Sequence, residues 1–206
     1  MDTLSEAFPI LPYVVARSHD DNFGDIQDDF MSWMENYAKV YQQNWRSNVR
    51  GYQSPDDFYL DKSFTPFLNY MSERIIDLID VYKKNEYVEM NFEPRLSNMW
   101  FNINYNQSYN VRHTHPGSQL AGVLYIKCPD NSGELTWHHL DDHNLTLTQA
   151  TSFSVDPEDG MMLLFPASLS HDVSPSETSE TRMSIAFNLY ESVSYTHLRA
   201  HETSYD

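Results

Sequence analysis

Three histidines and one arginine are the residues of this sequence best suited to chemistry. The segment Asn110-Val111-Arg112-His113-Thr114-His115-Pro116 carries two imidazoles one residue apart. On a strand, residues i and i+2 project from the same face. His113 and His115 can therefore converge on one point, with Pro116 and Gly117 ending the strand. A lone pair at this spacing is common by chance. A third imidazole, His171, follows an apolar strand and a turn in Phe165-Pro166-Ala167-Ser168-Leu169-Ser170-His171-Asp172-Val173. Arg182-Met183-Ser184 then opens the strand Ile185-Ala186-Phe187-Asn188. The interval from His113 to His171 has room for several short strands. The interval from His171 to Arg182 suits a hairpin that returns the Arg beside the His. Two His on one strand, one on a remote strand and a cation one hairpin away make the layout of an iron site with a bound dicarboxylate. An unpaired Arg182 inside an apolar-walled barrel carries a large desolvation cost. A bidentate carboxylate relieves it.

Other groups compete for the same role. His138-His139-Leu140-Asp141-Asp142-His143 contains a literal His-x-Asp at His139 and Asp141. Its distance in sequence from His171 is tight for the strands between, and the stretch reads as a polar loop. Asp172 adjoins His171, and neighbouring strand residues face opposite ways. Asn102 and Asn104 share one strand face and are possible pocket residues. Trp100 and the aromatics of the first helix read as core.

The elements that must position these groups change character midway along the chain. Ile26, Phe30, Trp33, Met34, Tyr37, Val40, Tyr41 and Trp45 follow helical spacing, with Asp25, Asp28, Asp29 and Glu35 elsewhere on the wheel. A second helix is expected from an N-cap at Thr65 followed by Pro66, running to about Lys84. Gly51–Asp57 between them reads as a loop. From there the period becomes that of strands: Met99–Tyr105, Leu120–Lys127, Glu134–Trp137, Ser152–Val155, Met161–Phe165 and Met183–Leu189. Asp130-Asn131-Ser132-Gly133 and Asp156-Pro157-Glu158-Asp159-Gly160 are turn signals. Many short strands at this spacing point to an antiparallel sandwich or barrel. The expected fold is α+β, with helices packed against a β core. A single domain is expected over 1–192, with helical support at about 20–85 and the β core over 86–192. Residues 193–206 resemble the conceptual translation of a sequencing-library adapter and are set aside as a non-native tail.

Composition bounds the function. The chain has 206 residues, 40% hydrophobic and 14% aromatic, enough for a packed core. Lys+Arg is 13 against Asp+Glu 30, a formal net charge of −17. Such a surface repels nucleic acid and anionic lipid, so neither is an expected partner. A single cysteine, Cys128, excludes a disulfide scaffold and a cysteine-rich metal site. No apolar run approaches a membrane span. The acidic N-terminus has neither the basic nor the apolar region of a secretory leader, so a cytoplasmic location is expected.

Taken together, His113-Thr114-His115-Pro116, Gly122-Val123-Leu124-Tyr125, Leu163-Leu164-Phe165-Pro166, His171 and Arg182-Met183-Ser184-Ile185-Ala186-Phe187-Asn188 resemble the 2-oxoglutarate/Fe(II) oxygenase family common in bacteria and bacteriophages. Val49-Arg50-Gly51-Tyr52-Gln53-Ser54 resembles its N-terminal region, so the likeness spans roughly 45–190. The resemblance implies a double-stranded β-helix (jelly-roll, cupin-like) core with iron at its mouth. It implies His113 and His171 as metal ligands and Arg182 as the residue for the cosubstrate's distal carboxylate. Ser184 supports the same carboxylate, and Tyr125 sits where related enzymes place a phenol toward it. The wider superfamily has an acid two residues after the first His. Here that position is His115, which makes a neutral three-His set.

The resemblance implies Fe(II) as cofactor, 2-oxoglutarate and O2 as cosubstrates, and hydroxylation of an unidentified prime substrate with release of succinate and CO2. Two rivals stand beside it: a three-His cupin-like dioxygenase that does not use 2-oxoglutarate, and a non-catalytic jelly-roll binding or structural module.

Overall fold

A computed structural model of the protein describes residues 3–10, 13–44, 46–138 and 152–191. The expected tail at 193–206, the His139–Asp141 alternative and Trp45 lie outside the described residues. In chain order the strands are β1 (Thr3–Ile10), β2 (Tyr13–Asp20), β3 (Asn48–Val49), β4 (Tyr52–Gln53), β5 (Pro94–Asn104) and β6 (Tyr109–His113). They continue as β7 (Leu120–Lys127), β8 (Leu135–His138), β9 (Ser152–Val155), β10 (Met161–Pro166), β11 (His171–Val173) and β12 (Arg182–Glu191). Two helices, α1 (Gly24–Val40) and α2 (Thr65–Lys83), lie between β2 and β5.

Seven strands form one sheet in the order β1-β2-β10-β7-β12-β5-β4, and five form a second in the order β3-β6-β11-β8-β9. Every pairing is antiparallel. This is the expected α+β jelly roll with helices on one side.

Period-two alternation in the central strands builds two layers of core. In β12, Met183, Ile185, Phe187 and Leu189 face the helices with Met99, Phe101 and Ile103 of β5. In the same layer lie Phe30 and Met34 of α1 and Met71, Ile75 and Leu78 of α2. Phe30, Phe58, Phe64 and Phe101 are each at most 2% exposed. Full burial of each such ring is worth about 1.5–3 kcal/mol, which pins both helices to the large sheet. The opposite face of that sheet packs Val15, Ala121, Tyr125, Leu163 and Phe165 against Leu135 and Trp137 of the small sheet.

The N-terminal hairpin was not legible as strand. β2 pairs with β10 from Ala16 to His19, and Val14 and Ala16 join one core layer while Val15 joins the other. α1 stops at Val40 because Tyr41 is extended, with ψ of 138°. At α2 the cap differs from expectation: Thr65 lies inside the helix and Phe64 is the cap residue, without a side-chain bond. Pro66 does sit in the first turn, where its missing N–H costs nothing. No described helix is long and apolar enough to cross a membrane.

Candidate metal centre and the cavities beside it

The inward residues of β5 and β12 form two facing rows. Their register sets Arg182 opposite Asn104, Ser184 opposite Asn102, Ala186 opposite Trp100 and Asn188 opposite Asn98. Tyr125 of β7 lies on the other flank of Ser184. The small sheet and the turn that follows β6 supply the histidines above this floor.

His113 is the last residue of β6, and His171 the first of β11; the two are direct partners in the ladder. His115 lies beyond the end of β6, which corrects the expectation from sequence that both histidines sit on one strand. Its backbone N–H donates to the Ala167 carbonyl at 2.9 Å, and that bond holds the turn against the segment after β10. One ligating atom from each of His113, His115 and His171 lies within 4.8 Å of the others. The rings of His115 and His171 stack at 22°, with their Nε2 atoms 3.2 Å apart.

Backbone carbonyls orient two of the rings. His113 Nδ1 is 2.7 Å from the Val111 carbonyl, and His171 Nδ1 is 2.8 Å from that of Leu169. A carbonyl only accepts, so each Nδ1 carries the proton and each Nε2 keeps its lone pair. Burial, reinforced by the neighbouring His113, pushes the His115 pKa down to about 4. Burial first, then the surrounding imidazoles, pushes His171 to about 3. His113 is lowered as well, mainly by burial. All three are neutral near pH 7, the form that ligates a cation.

The decoys resolve differently. His138 belongs to β8 and its Nε2 sits 2.6 Å from Asp172 Oδ2. Asp172 therefore faces away from the cluster, as expected for the neighbour of an inward His171, and is engaged elsewhere.

Arg182 reaches the same cavity by another route than the expected hairpin. β11 and β12 lie in different sheets, and the Arg meets the His across the sandwich. A cavity of about 60 Å³ is lined by His113, His115, His171, Tyr125, Arg182 and Ser184, among others. Arg182 is 3% exposed. Its Nη1 donates to the Gly133 carbonyl at 3.0 Å, and its Nε has no partner. Burial lowers its pKa, with Tyr125 and Cys128 acting against this. Burial raises the Tyr125 phenol, which Arg182 opposes. Tyr125 is thus a neutral donor beside a buried cation.

Asn102 lines the inner cavity and Asn104 does not. Both accept from Asn48 Nδ2, at 3.1 and 2.9 Å, while Asn48 Oδ1 takes the Gly51 N–H at 3.0 Å. The Gly51 donor fixes the Asn48 amide, which in turn fixes Asn102 with its oxygen toward Asn48. Asn48 carried no signal in the sequence. Trp100, expected in the core, is buried yet lines both the inner cavity and a larger outer one. Its ring centroid lies 5.5 Å from that of His115. The missed signal was the polar period of two, Asn98-x-Trp100-x-Asn102-x-Asn104, inside an apolar strand.

Three neutral imidazoles around one point suit a borderline transition-metal ion. A buried arginine with an unpartnered Nε suits a carboxylate from outside the protein. The residues present therefore fit an iron ion and a dicarboxylate.

Residues 98–188 match the family described as "Putative 2OG-Fe(II) oxygenase". No curated protein sequence matches the chain. Among solved structures, a Pseudomonas putida prolyl-4-hydroxylase has a TM-score of 0.58 at 12% identity, covering 93% of both chains. HygX from Streptomyces hygroscopicus, with nickel and 2-oxoglutarate bound, gives 0.60 at 12% identity, covering 92% of this chain and 82% of that one. A Trichoplax adhaerens prolyl hydroxylase, in complex with a hypoxia-inducible-factor peptide, gives 0.61 at 13%, covering 82% and 78%. At these identities the likeness is one of fold.

Proposed function

We propose that this chain is a 2OG-Fe(II) oxygenase, the family that residues 98–188 match, and that its own residues divide the work as follows. His113, His115 and His171 hold Fe(II). Arg182 and Ser184 hold the distal carboxylate of 2-oxoglutarate, with Tyr125 donating to it and Asn102 lining the pocket. When bound, iron, 2-oxoglutarate and O2 together supply the oxidising power: the cosubstrate leaves as succinate and CO2, and one oxygen atom enters a C–H bond of the prime substrate.

The observation that carries this reading is the meeting, in one cavity, of three imidazoles with an arginine that has an unpartnered buried nitrogen. The protein's part is preorganisation. The Val111 and Leu169 carbonyls hold the protons of His113 and His171 on Nδ1, so no tautomer change is needed on metal entry. The Gly133 carbonyl aims the Arg182 fork. The apolar walls, Phe165, Leu135 and Val123, keep the cavity poor in water and strengthen each charge contact within it.

The imidazole at 115 favours one rival, a three-His dioxygenase that does not use 2-oxoglutarate. The buried Arg182 counts against it, because without an anion its charge has no counterpart. A cytoplasmic setting, in a bacterium or a phage-infected cell, belongs to the same proposal; Fe(II) and the free thiol of Cys128 both suit a reducing compartment. The net charge of −17 opposes a nucleic-acid partner.

The test is an anaerobic titration of metal-free protein with Fe(II) and then 2-oxoglutarate. A weak visible charge-transfer band on the second addition, and succinate on admission of air, are expected. Iron uptake without a band or succinate would favour the three-His rival. No iron uptake would favour a binding module.

A further inference from the structure

The outer cavity, of about 400 Å³, opens beside His113 and His115. Gln53, Asp56, Asn98 and Asn188 line it, with Arg46, and Trp100 separates it from the inner cavity. A chain of hydrogen bonds that starts at a charge orients the amides of this wall. The Asp56 carboxylate only accepts. It takes Arg46 Nη2 at 3.1 Å and Asn98 Nδ2 at 3.3 Å. Asn98 must then present Oδ1 on its other side, where it accepts from Asn188 Nδ2 at 2.9 Å. The Asn188 amide nitrogen is thereby turned toward Asn98, and its carbonyl oxygen is buried without a donor. The Gln53 Oε1 is in the same condition. Gln53 and Asn188 are 3% and 6% exposed.

Buried acceptors without donors are rare in folded proteins and call for an explanation. Two occur here among the residues of one cavity. The charges on this wall, Arg46 and Asp56, are spent on each other. The buried unpaired cation, Arg182, lines the inner cavity and not the outer one. An entering carboxylate or phosphate would thus meet no unpaired cation among the described lining residues, and would leave both buried oxygens without a donor. A group carrying N–H or O–H donors would satisfy both oxygens after a small side-chain rotation.

We propose that the outer cavity binds the prime substrate through a neutral, donor-rich group, the chemistry shared by a carboxamide and a polyol, with Asn188 and Gln53 as the selecting acceptors. This rests on reading the adjoining histidines as the iron site. Asp56 and Asn98 are positioning residues, because they act by fixing which end of the Asn188 amide is left free.

Protein loaded with Zn²⁺ and 2-oxoglutarate, which does not turn over, tests this by ligand-observed NMR. The probes are N-acetylglycinamide and methyl β-D-glucoside, each against its carboxylate counterpart, N-acetylglycine and methyl glucuronoside. One neutral probe is expected to bind at least about tenfold more tightly than its carboxylate counterpart, and its identity tells amide from polyol. Asn188→Leu and Gln53→Met are each expected to weaken that binding about 10- to 100-fold. Calorimetric affinity for 2-oxoglutarate, measured on the same samples, should not move. Carboxylates binding as well as the neutral probes, no neutral probe binding, or wild-type binding in the folded variants would each overturn the proposal. Where Asn188→Leu does not fold, Gln53→Met decides. A wild-type protein that takes up no 2-oxoglutarate would sink the iron-site reading instead, and the neutral-to-carboxylate ratio is then read on the protein with Zn²⁺ alone.

Discussion

His171 lies directly opposite His113 in the antiparallel ladder of β6 and β11, with ring centroids 4.4 Å apart. Directly opposed residues share a sheet face, so the pairing register itself brings the two imidazoles together. A one-residue slip of either strand would turn one ring to the outer face.

His113→Ala and His171→Ala should therefore each abolish stoichiometric Fe(II) binding while leaving the protein folded. Both sit at a strand end and against a cavity, so their loss opens space already present. Metal analysis alongside circular dichroism checks this. An iron-replete, fully active His113→Ala protein would remove the residue from the site.

Arg182→Ala should keep iron and lose 2-oxoglutarate. Losing charge-assisted bonds to a carboxylate costs about 2–3 kcal/mol, or roughly 30- to 150-fold in affinity. Arg182→Lys should recover only part of this, because an ammonium cannot form the planar fork and does not reach the Gly133 carbonyl in the same geometry. Calorimetry with the iron-loaded protein measures both. Unchanged affinity in Arg182→Ala would point to the three-His rival.

His115→Asp should still bind Fe(II), since carboxylate oxygen also suits this metal, whereas His115→Ala should bind it more weakly. The comparison is made at one pH without cosubstrate. Wild type close to Asp, and both well above Ala, marks position 115 as a direct ligand. Equal affinities in all three proteins would leave two histidines and a third ligand still to be found.

Gly122→Ala should be destabilised by about 1–3 kcal/mol, the usual range for overpacking a closed core. An added Cβ would lie 2.6 Å from Phe187 Cε2 and 2.7 Å from the Leu163 carbonyl oxygen. Phe187 is fully buried, and the Leu163 oxygen is backbone of the adjoining β10, so neither yields cheaply. The shift in urea midpoint at constant slope reports the cost. A wild-type midpoint would mean that β7 and β12 can part locally.

Much of the strand layout was legible because period two is a local property. Leu120–Lys127 and Ser152–Val155 run exactly where the alternation placed them. The hairpin of β1 and β2 was missed, since its place in the sheet depends on β10, more than a hundred residues away. The route of Arg182 was misread for a similar reason. A short interval in sequence suits a hairpin, but β11 and β12 enter different sheets, and the Arg meets His171 across the cavity between them.

By itself the sequence determined which groups were available: three imidazoles, one arginine at the head of an apolar strand, and two asparagines on one strand face. Those are matters of residue type and spacing, and they sufficed for metal and cosubstrate chemistry. Only the tertiary structure decided which groups meet. Interstrand register put His171 opposite His113 and Asn188 opposite Asn98, and it carried Asn48, silent in the sequence, to the back of Asn102. Register is set by burial summed over whole sheets, since each one-residue slip would expose an entire core face. No local spacing can encode that sum.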